Sequence, residues 1–255
     1  MKLVFAPDSY KGSLSAEQIC GLLTQAAREV WPECETVSLP VSDGGEGALE
    51  AVLRAVDGRY QSVRVSDPMG MQILASYGIY QENRAIIEMA AASGLPLVEP
   101  QRRDIRRAST YGTGQMILDA LEHGCQNLTI AIGGSATNDG GLGCMAALGA
   151  RFFDEAAREL EPLPEFLGRI ARIDLEQFHP LARMIKTTVI CDVTNPLLGP
   201  EGAAFVLALR RVPQRRIRSF WKRAWPGMQK CWSALLDGIL QRYRGREPQE
   251  AWGQA

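Results

Sequence analysis

Short apolar runs alternate with amphipathic stretches along most of the chain. The run "KLVFA" (2–6) has the length of a strand and stops at a Pro-Asp corner. The stretch "AEQICGLLTQAAREVW" (16–31) instead repeats its apolar residues at helical spacing, behind a capping pattern of Ser15 and Gln18. This pattern predicts a buried strand followed by a capped helix.

The alternation continues further along the chain. "NLTIAIGG" (127–134) predicts another buried strand. "STYGTGQMILDALEHG" (109–124) predicts a helix that Gly124 closes, and "LGCMAALGARF" (142–152) predicts a further helix. Two runs near residues 60–82, "YQSVRVSD" and "ILASYGIYQ", predict a strand pair and a crossing between domains. Strands that alternate with helices predict the α/β class, with a largely parallel sheet covered on both faces.

Composition narrows the class of protein. The 255 residues are 46% hydrophobic and 22% charged, which is ordinary for a globular domain, and no apolar stretch is long enough to cross a bilayer. The charged residues Asp8 and Lys11 come too early for the apolar core of a signal peptide. Six cysteines without a CxxC spacing argue against a zinc site or a disulfide framework. We therefore expect a cytoplasmic protein.

Five glycine-rich or hydroxyl-rich loops follow predicted strands, where ligands bind in α/β sheets. The richest is "IAIGGSATNDGGLG" (130–143), whose glycines let backbone N–H groups approach an anion. It matches neither a Walker A loop nor the dinucleotide fingerprint, and the plain alternative is a turn with an Asn or Asp cap. The candidate ligand-binding residues of this loop are Gly133, Gly134, Ser135, Thr137, Asn138, Asp139, Gly140 and Gly141.

The loop "APDSYKGSLSA" (6–16) combines a carboxylate with an ammonium group. Asp8 suits a base or metal ligand, Lys11 suits a phosphate clamp, and Ser9 lies between them. That pairing fits phosphoryl transfer, which depends on positioning and on neutralising charge. The alternative is a surface ion pair beside a helix cap.

Three further loops add oxygen donors. "VSDGGEG" (41–47) offers Asp43 and Gly44, and "CDVTNPLLG" (191–199) offers Asp192. Asp side chains with bridging waters suit Mg²⁺, so both aspartates are candidate metal ligands, although each singly is more often an Asx turn. In "STYGTGQ" (109–115), Thr113 is a candidate for substrate or phosphate, or the hydroxyls there only cap the helix.

Taken together, "APDSYKGSLSA", "LPVSDGGEG", "STYGTGQ", "IGGSATNDGGLG" and "CDVTNPLLGPEGAA" resemble the bacterial glycerate kinase family, in order from Met1 to about Val206. The resemblance implies phosphoryl transfer from ATP, with Mg²⁺, to D-glycerate, giving 2-phosphoglycerate or 3-phosphoglycerate. It implies small-molecule partners rather than nucleic acid or a membrane. Asp8, Lys11 and Asp192 are then the expected catalytic residues.

The resemblance also implies two α/β domains, one of them flavodoxin-like. Residues 1–65 would begin a domain built from both chain ends, with its C-terminal part missing. Residues 66–206 would form the inserted domain, incomplete at its end.

The tail after Val206 differs abruptly from the rest. Residues 207–255 hold 11 Lys/Arg against 3 Asp/Glu and four of the five tryptophans. Loss of one nucleotide from a gene encoding the family's "FGPQKGAT" would give "LALRRVPQ", which is residues 207–214. We therefore expect an out-of-frame tail and a truncated or frameshifted form of the enzyme, and the sequence leaves open whether this form is active.

Three other interpretations stay open from the sequence alone. The tail could be a genuine basic, aromatic helix that binds nucleic acid or an acidic membrane surface. The 130–143 glycines could serve a nucleotide-dependent oxidoreductase, although the spacing and the missing acidic residue oppose this. The chain could also be a non-catalytic product whose unpaired strand edges favour aggregation.

Overall fold

The computed structural model describes residues 1–10, 12–42, 44–45 and 47–191. The predicted α/β class is confirmed, while the tail at 207–255 lies outside the described residues. The strands are β1 (Lys2–Phe5), β2 (Glu35–Ser38), β3 (Gly58–Ser66), β4 (Gln72–Tyr80), β5 (Arg84–Glu88), β6 (Asn127–Ala131), β7 (Arg151–Phe153), β8 (Glu159–Leu160), β9 (Arg172–Asp174) and β10 (Lys186–Ile190). The helices are α1 (Ala16–Val30), α2 (Ala48–Ala55), α3 (Ala90–Ser93), α4 (Tyr111–Glu122) and α5 (Leu142–Ala147).

The main sheet has five strands in the order β10-β6-β5-β4-β3. β10, β6 and β5 are parallel, whereas β4 is antiparallel to both β5 and β3. The β3–β4 pair confirms the predicted strand pair. Because two reversals restore the direction, β3 runs the same way as β5, β6 and β10. The carboxyl ends of these four strands therefore lie at one edge of the sheet, called the rim below.

The hydrophobic core lies between this sheet and helices α4 and α5. Tyr77, Ile87 and Met116 are fully buried there. Gly112 lets α4 approach the sheet closely, because a Cβ at this position would overlap the carbonyl oxygen of Ser66. This close contact fixes the start of α4 beside the carboxyl end of β3.

The N-terminal region is smaller. β1 and β2 form a parallel two-stranded sheet against which α1 packs. Helix α1 begins as predicted, with Ser15 and Gln18 each accepting a hydrogen bond from the other's backbone N–H. The predicted boundary between residues 65 and 66 falls within β3, and the two-domain organisation stays a prediction.

One predicted helix is too long. The pattern at 142–152 predicts a single helix, but α5 ends at Ala147 and Gly149 adopts a φ of +98°. The chain then enters β7, which pairs with β8 and β9 in a three-stranded antiparallel sheet that the sequence did not predict. Strands of two or three residues are too short to show an alternating pattern.

Candidate active site

The predicted ligand-binding loops contact one another along the rim. The N–H of Gly133 donates to the carbonyl of Gly44 at 3.2 Å, which joins the glycine loop to the 41–47 loop. The N–H of Ile132 donates to Ile190 at 3.3 Å, which joins the glycine loop to the end of β10. A Cβ at Gly133 would lie 2.6 Å from the Cα of Gly45. Only glycine therefore permits these two loops to approach so closely.

The N-terminal loop lies beside the 41–47 loop, because the strands that precede these two loops, β1 and β2, are paired. The N–H of Val41 donates to Pro7 at 3.1 Å, so the loops after β1 and β2 run side by side. Asp8 is partly buried and accepts from the N–H of Ser9 at 2.6 Å. The hydroxyl oxygen of Ser9 is buried and has no hydrogen-bond partner among the described residues.

Ser9 faces a cleft of about 230 Å³ between the N-terminal loop, α2 and the main sheet. Glu50, Tyr60 and Glu88 also line it. Glu88 ends β5, and its carboxylate accepts from the N–H of Leu49 in the first turn of α2 at 2.8 Å. Sequence analysis did not select Glu88. Its position as the last residue of a buried apolar strand could have marked it as a candidate site residue.

Asp139 is the central polar group of the glycine loop. It is 1% exposed, and its carboxylate accepts four hydrogen bonds. Thr110 donates from its N–H at 2.8 Å and from its hydroxyl at 2.7 Å, while the N–H groups of Gly141 and Gly143 each donate at 3.0 Å. The same carboxylate thus binds the starts of both α4 and α5. The Asp139 side chain therefore has a structural role, because it connects the loops that precede α4 and α5.

The hydroxyl residues of these loops are likewise buried and paired. Ser135 and Thr137 share a hydrogen bond of 2.8 Å between their hydroxyl groups. Thr113 is 4% exposed and shares a hydrogen bond of 2.7 Å with Ser93, a residue that sequence analysis did not select. These contacts direct the side chains inward, so the loop offers a ligand mainly its backbone groups.

Three other predicted residues offer more to a ligand. Gly134 and Gly140 are exposed and adopt φ values of +72° and +62°. The Nδ2 atom of Asn138 is buried and has no hydrogen-bond partner among the described residues.

Comparison with known proteins shows the family of the chain. The sequence model of the glycerate kinase family matches residues 3–211. The chain belongs to the glycerate kinase family. A curated relative named glycerate 2-kinase, from Escherichia coli (strain K12), is 45% identical over 205 residues, which are 80% of this chain and 54% of the relative. A glycerate kinase from Haemophilus influenzae is 39% identical over 242 residues, which are 94% of this chain and 61% of the relative.

A solved structure also supports membership of the glycerate kinase family. The structure of a glycerate kinase 2 candidate from Salmonella typhimurium LT2 superposes with a TM-score of 0.76 at 41% identity. The match covers 89% of this chain and 61% of that one. The chain thus spans about half to three fifths of the length of these relatives.

Three predicted residues of this family member lie outside the described residues: Lys11, Asp43 and Asp192. Two of them are the predicted magnesium ligands. Within the described ranges, no group of three or more His, Cys, Asp or Glu residues could hold a metal ion. Glu50 and Glu88 nevertheless give the cleft carboxylate oxygens, which are the donor type that Mg²⁺ takes. No helix in the described part of the chain is both long and apolar enough to cross a bilayer.

Burial controls the titration of the groups beneath the glycine loop. Burial raises the pKa of Asp139, while the hydrogen bonds from Thr110, Gly143 and Gly141 act in the opposite direction. Burial, with the nearby Asp139 carboxylate, raises the pKa of the Cys144 thiol to about 12. Cys144 is therefore a neutral thiol at physiological pH rather than a nucleophile.

Proposed function

We propose that this chain carries phosphoryl-transfer machinery that moves the γ-phosphoryl group of ATP to a hydroxyl of D-glycerate. The 2-hydroxyl is the favoured acceptor, so the product is 2-phosphoglycerate, with 3-phosphoglycerate as the other possible product. The supporting observation is the set of contacts that joins the N-terminal loop, the 41–47 loop and the glycine loop at the rim. Separate loops of a sheet that meet in this way can hold two ligands side by side.

The roles follow from the chemistry of each group. Asp8 accepts the proton of the attacking hydroxyl as the new O–P bond forms and the bond between the γ-phosphorus and its bridging oxygen breaks. Lys11 neutralises charge on the transferring phosphoryl group. Backbone N–H groups of the glycine loop hold phosphate or the glycerate carboxylate. Asp43 and Asp192 would hold Mg²⁺, which would supply further neutralisation of the phosphate charge.

The cytoplasm, where ATP is available, is the proposed location. An assay of ATP-dependent glycerate consumption tests the function, and ³¹P NMR of the product separates 2-phosphoglycerate from 3-phosphoglycerate. We expect Asp8→Asn to lower kcat by roughly 100-fold or more, because general-base catalysis contributes that much. Asp57→Asn, an exposed aspartate beyond α2, is the matched control and should leave kcat unchanged. Equal rates for both variants would contradict the role of Asp8.

The out-of-frame tail stays part of this proposal. The family match ends at residue 211, close to Val206, which supports it. The match with the Haemophilus influenzae relative covers 94% of the chain and so runs well past Val206, which opposes it. Resequencing the DNA around codon 206 decides the matter, since an intact frame that encodes the basic tail contradicts the proposal. An assay of this chain beside a frame-restored chain then measures how much activity the altered tail removes.

A further inference from the structure

The main sheet ends on one side in a long and regular strand, β3. All of its residues pair one for one with β4, from Gly58 opposite Tyr80 to Ser66 opposite Gln72. The register therefore contains no bulge, and the strand itself contains neither proline nor lysine. Bulges, prolines and lysines are the devices by which proteins commonly block pairing at the edge of a sheet. Without them, β3 is suited to pair with another extended strand.

Alternate residues of β3 direct their backbone groups away from β4. The N–H of Ser66 points outward, since it donates to the side chain of Gln115 on α4 at 2.8 Å rather than to β4. Backbone groups along an antiparallel strand alternate between the two sides. The N–H and carbonyl groups of Tyr60, Ser62 and Arg64 therefore point outward as well. These three residues are called the β3 edge below.

The β3 edge is open to solvent. All three of its residues are exposed, and Tyr60 is 58% exposed. Within the described ranges, the one bond to its outward backbone groups is a long one of 3.5 Å, from the side chain of Gln61 to the carbonyl of Ser62. Helix α4 covers the strand only near Ser66. The outward N–H and carbonyl groups are thus available to an incoming strand.

We infer that β3 pairs with β3 of a second copy of this chain, in an antiparallel register centred on Ser62. In this register Ser62 lies opposite itself, and Tyr60 lies opposite Arg64 of the second copy. Every outward N–H and carbonyl of the β3 edge then has a partner. Each arginine also meets an aromatic ring, which is a favourable cation–π pair. A register centred on Arg64 would instead place two like charges directly opposite each other.

Side chains beside the β3 edge add apolar area to this contact. Leu74 lies opposite Arg64 on β4 and is 69% exposed. In the joined sheet, the aliphatic stem of Arg64 lies between Leu74 and Tyr60 of the second copy, which removes apolar surface from water. Tyr60 also lines the cleft that Ser9 faces. The second copy therefore contributes Arg64 to the border of each candidate active site.

Sedimentation velocity of the full chain over a range of concentrations tests the inference, and we expect a monomer–dimer equilibrium. Ser62→Pro removes an outward N–H at the centre of the contact and none that bonds to β4, so the Kd of the dimer should rise about tenfold or more. Ser62→Ala is the matched control, because it loses the same hydroxyl bond to Ser76 but keeps the N–H. It should leave the Kd unchanged. Circular dichroism establishes whether Ser62→Pro keeps its fold.

Cysteine cross-linking tests the register without a proline. Residues opposite each other in a hydrogen-bonded antiparallel pair have Cα atoms ~5.5 Å apart, which a disulfide can span. Ser62→Cys should therefore form an intermolecular disulfide under mild oxidation. Ser76→Cys is the control, because Ser76 lies opposite Ser62 on the next strand inward. It should cross-link no more than the unsubstituted chain.

A chain that is monomeric at every concentration overturns the inference. So does a dimer whose Kd is unchanged in a folded Ser62→Pro variant, or equal cross-linking of the two cysteine variants. If Ser62→Pro does not fold, the two cysteine variants decide alone. A monomeric chain that instead captures an extended acidic peptide, with binding that weakens as salt is added, assigns the β3 edge to another protein and overturns the pairing of two copies.

Discussion

The five-stranded sheet and the N-terminal two-stranded sheet differ in how deeply they bury their apolar side chains. In the first, Val65, Tyr77 and Ile87 are completely buried. In the second, Val4 on β1 is 55% exposed and Leu22 on α1 is 56% exposed. Since hydrophobic stabilisation scales with the apolar area removed from water, the five-stranded region contributes most of the folding free energy of the described chain.

Polar groups show a smaller difference between the two regions. Beneath the glycine loop, the buried Asp139 accepts hydrogen bonds from the starts of α4 and α5, and the buried Thr113 shares a hydrogen bond with Ser93 at the end of α3. In the N-terminal loop, the buried hydroxyl oxygen of Ser9 has no partner within the described ranges. The loops of the five-stranded region are thus held in place by the protein itself. Both regions nevertheless keep a polar group available to a ligand: the Ser9 hydroxyl in the N-terminal loop and the Nδ2 atom of Asn138 in the glycine loop.

The largest expected effect is at the contact between α4 and the main sheet. Gly112→Ala places a methyl group against the backbone carbonyl of Ser66, which no rotamer change can relieve. We expect a loss of roughly 3 kcal/mol or more in the free energy of unfolding. Urea denaturation followed by circular dichroism measures it. An unchanged midpoint would show that α4 is held more loosely than the structure describes.

The next effect concerns the carboxylate that joins the starts of α4 and α5. Asp139→Asn keeps the shape but replaces one accepting oxygen with a donor, so buried N–H groups lose their acceptor. We expect a loss of about 2 kcal/mol. Thr110→Val removes a partner of the same carboxylate, so the double variant should be less destabilised than the sum of the two single variants. Strict additivity of the two losses would mean that the two residues do not act together.

Local patterns predicted the elements that have strong periodicity or caps. Helix α1, with its Ser15–Gln18 capping box, and the β3–β4 pair follow directly from the sequence. The three-stranded sheet does not, because its strands of two or three residues are too short to show a pattern of their own. Gly149 carries the signal that ends α5 early, but a glycine inside a helical pattern is ambiguous without the fold.

The site was predicted at the level of loops and less well at the level of side chains. Strand order explains why the loops meet, since ligand sites lie at the carboxyl ends of parallel strands. The direction of each side chain depends on neighbours far away in sequence. Asp139 faces Thr110, 29 residues earlier, and Glu88 faces Leu49, 39 residues earlier. Neither pairing leaves a trace in the local sequence.

A smaller effect of opposite sign is expected in the N-terminal region. Gly21 lies inside α1, and a Cβ added there would have no heavy atom within 4 Å. Gly21→Ala should therefore stabilise the protein by about 0.5–1 kcal/mol, through helix propensity and a less flexible unfolded chain. The same urea titration measures it, and Gly112→Ala provides the contrast. A destabilised Gly21→Ala variant would show that this face of α1 is covered by other residues.

The smallest effect is expected at an ion pair that joins the two regions. Arg54 on α2 contacts Glu17 on α1 and Glu50 on its own helix. Hydrogen bonding to Arg54 lowers the pKa of Glu17 below its ordinary value. A lowered folded-state pKa stabilises the protein above the unfolded-state pKa, and that stabilisation is lost as the pH falls through the folded-state value.

Arg54→Gln should return the pKa of Glu17 toward its ordinary value. The free energy of unfolding should then fall less as the pH is lowered through the titration of Glu17. An NMR titration of the Glu17 carboxyl measures the pKa directly, and the shift in the unsubstituted protein should shrink as salt is added, because the pair is exposed. Lys2→Gln, which removes an exposed ion pair with Glu35 within the N-terminal region, is the matched control and should leave Glu17 unchanged. A Glu17 pKa that is the same with and without Arg54 would mean that α1 and α2 do not meet in solution as they do in the structure.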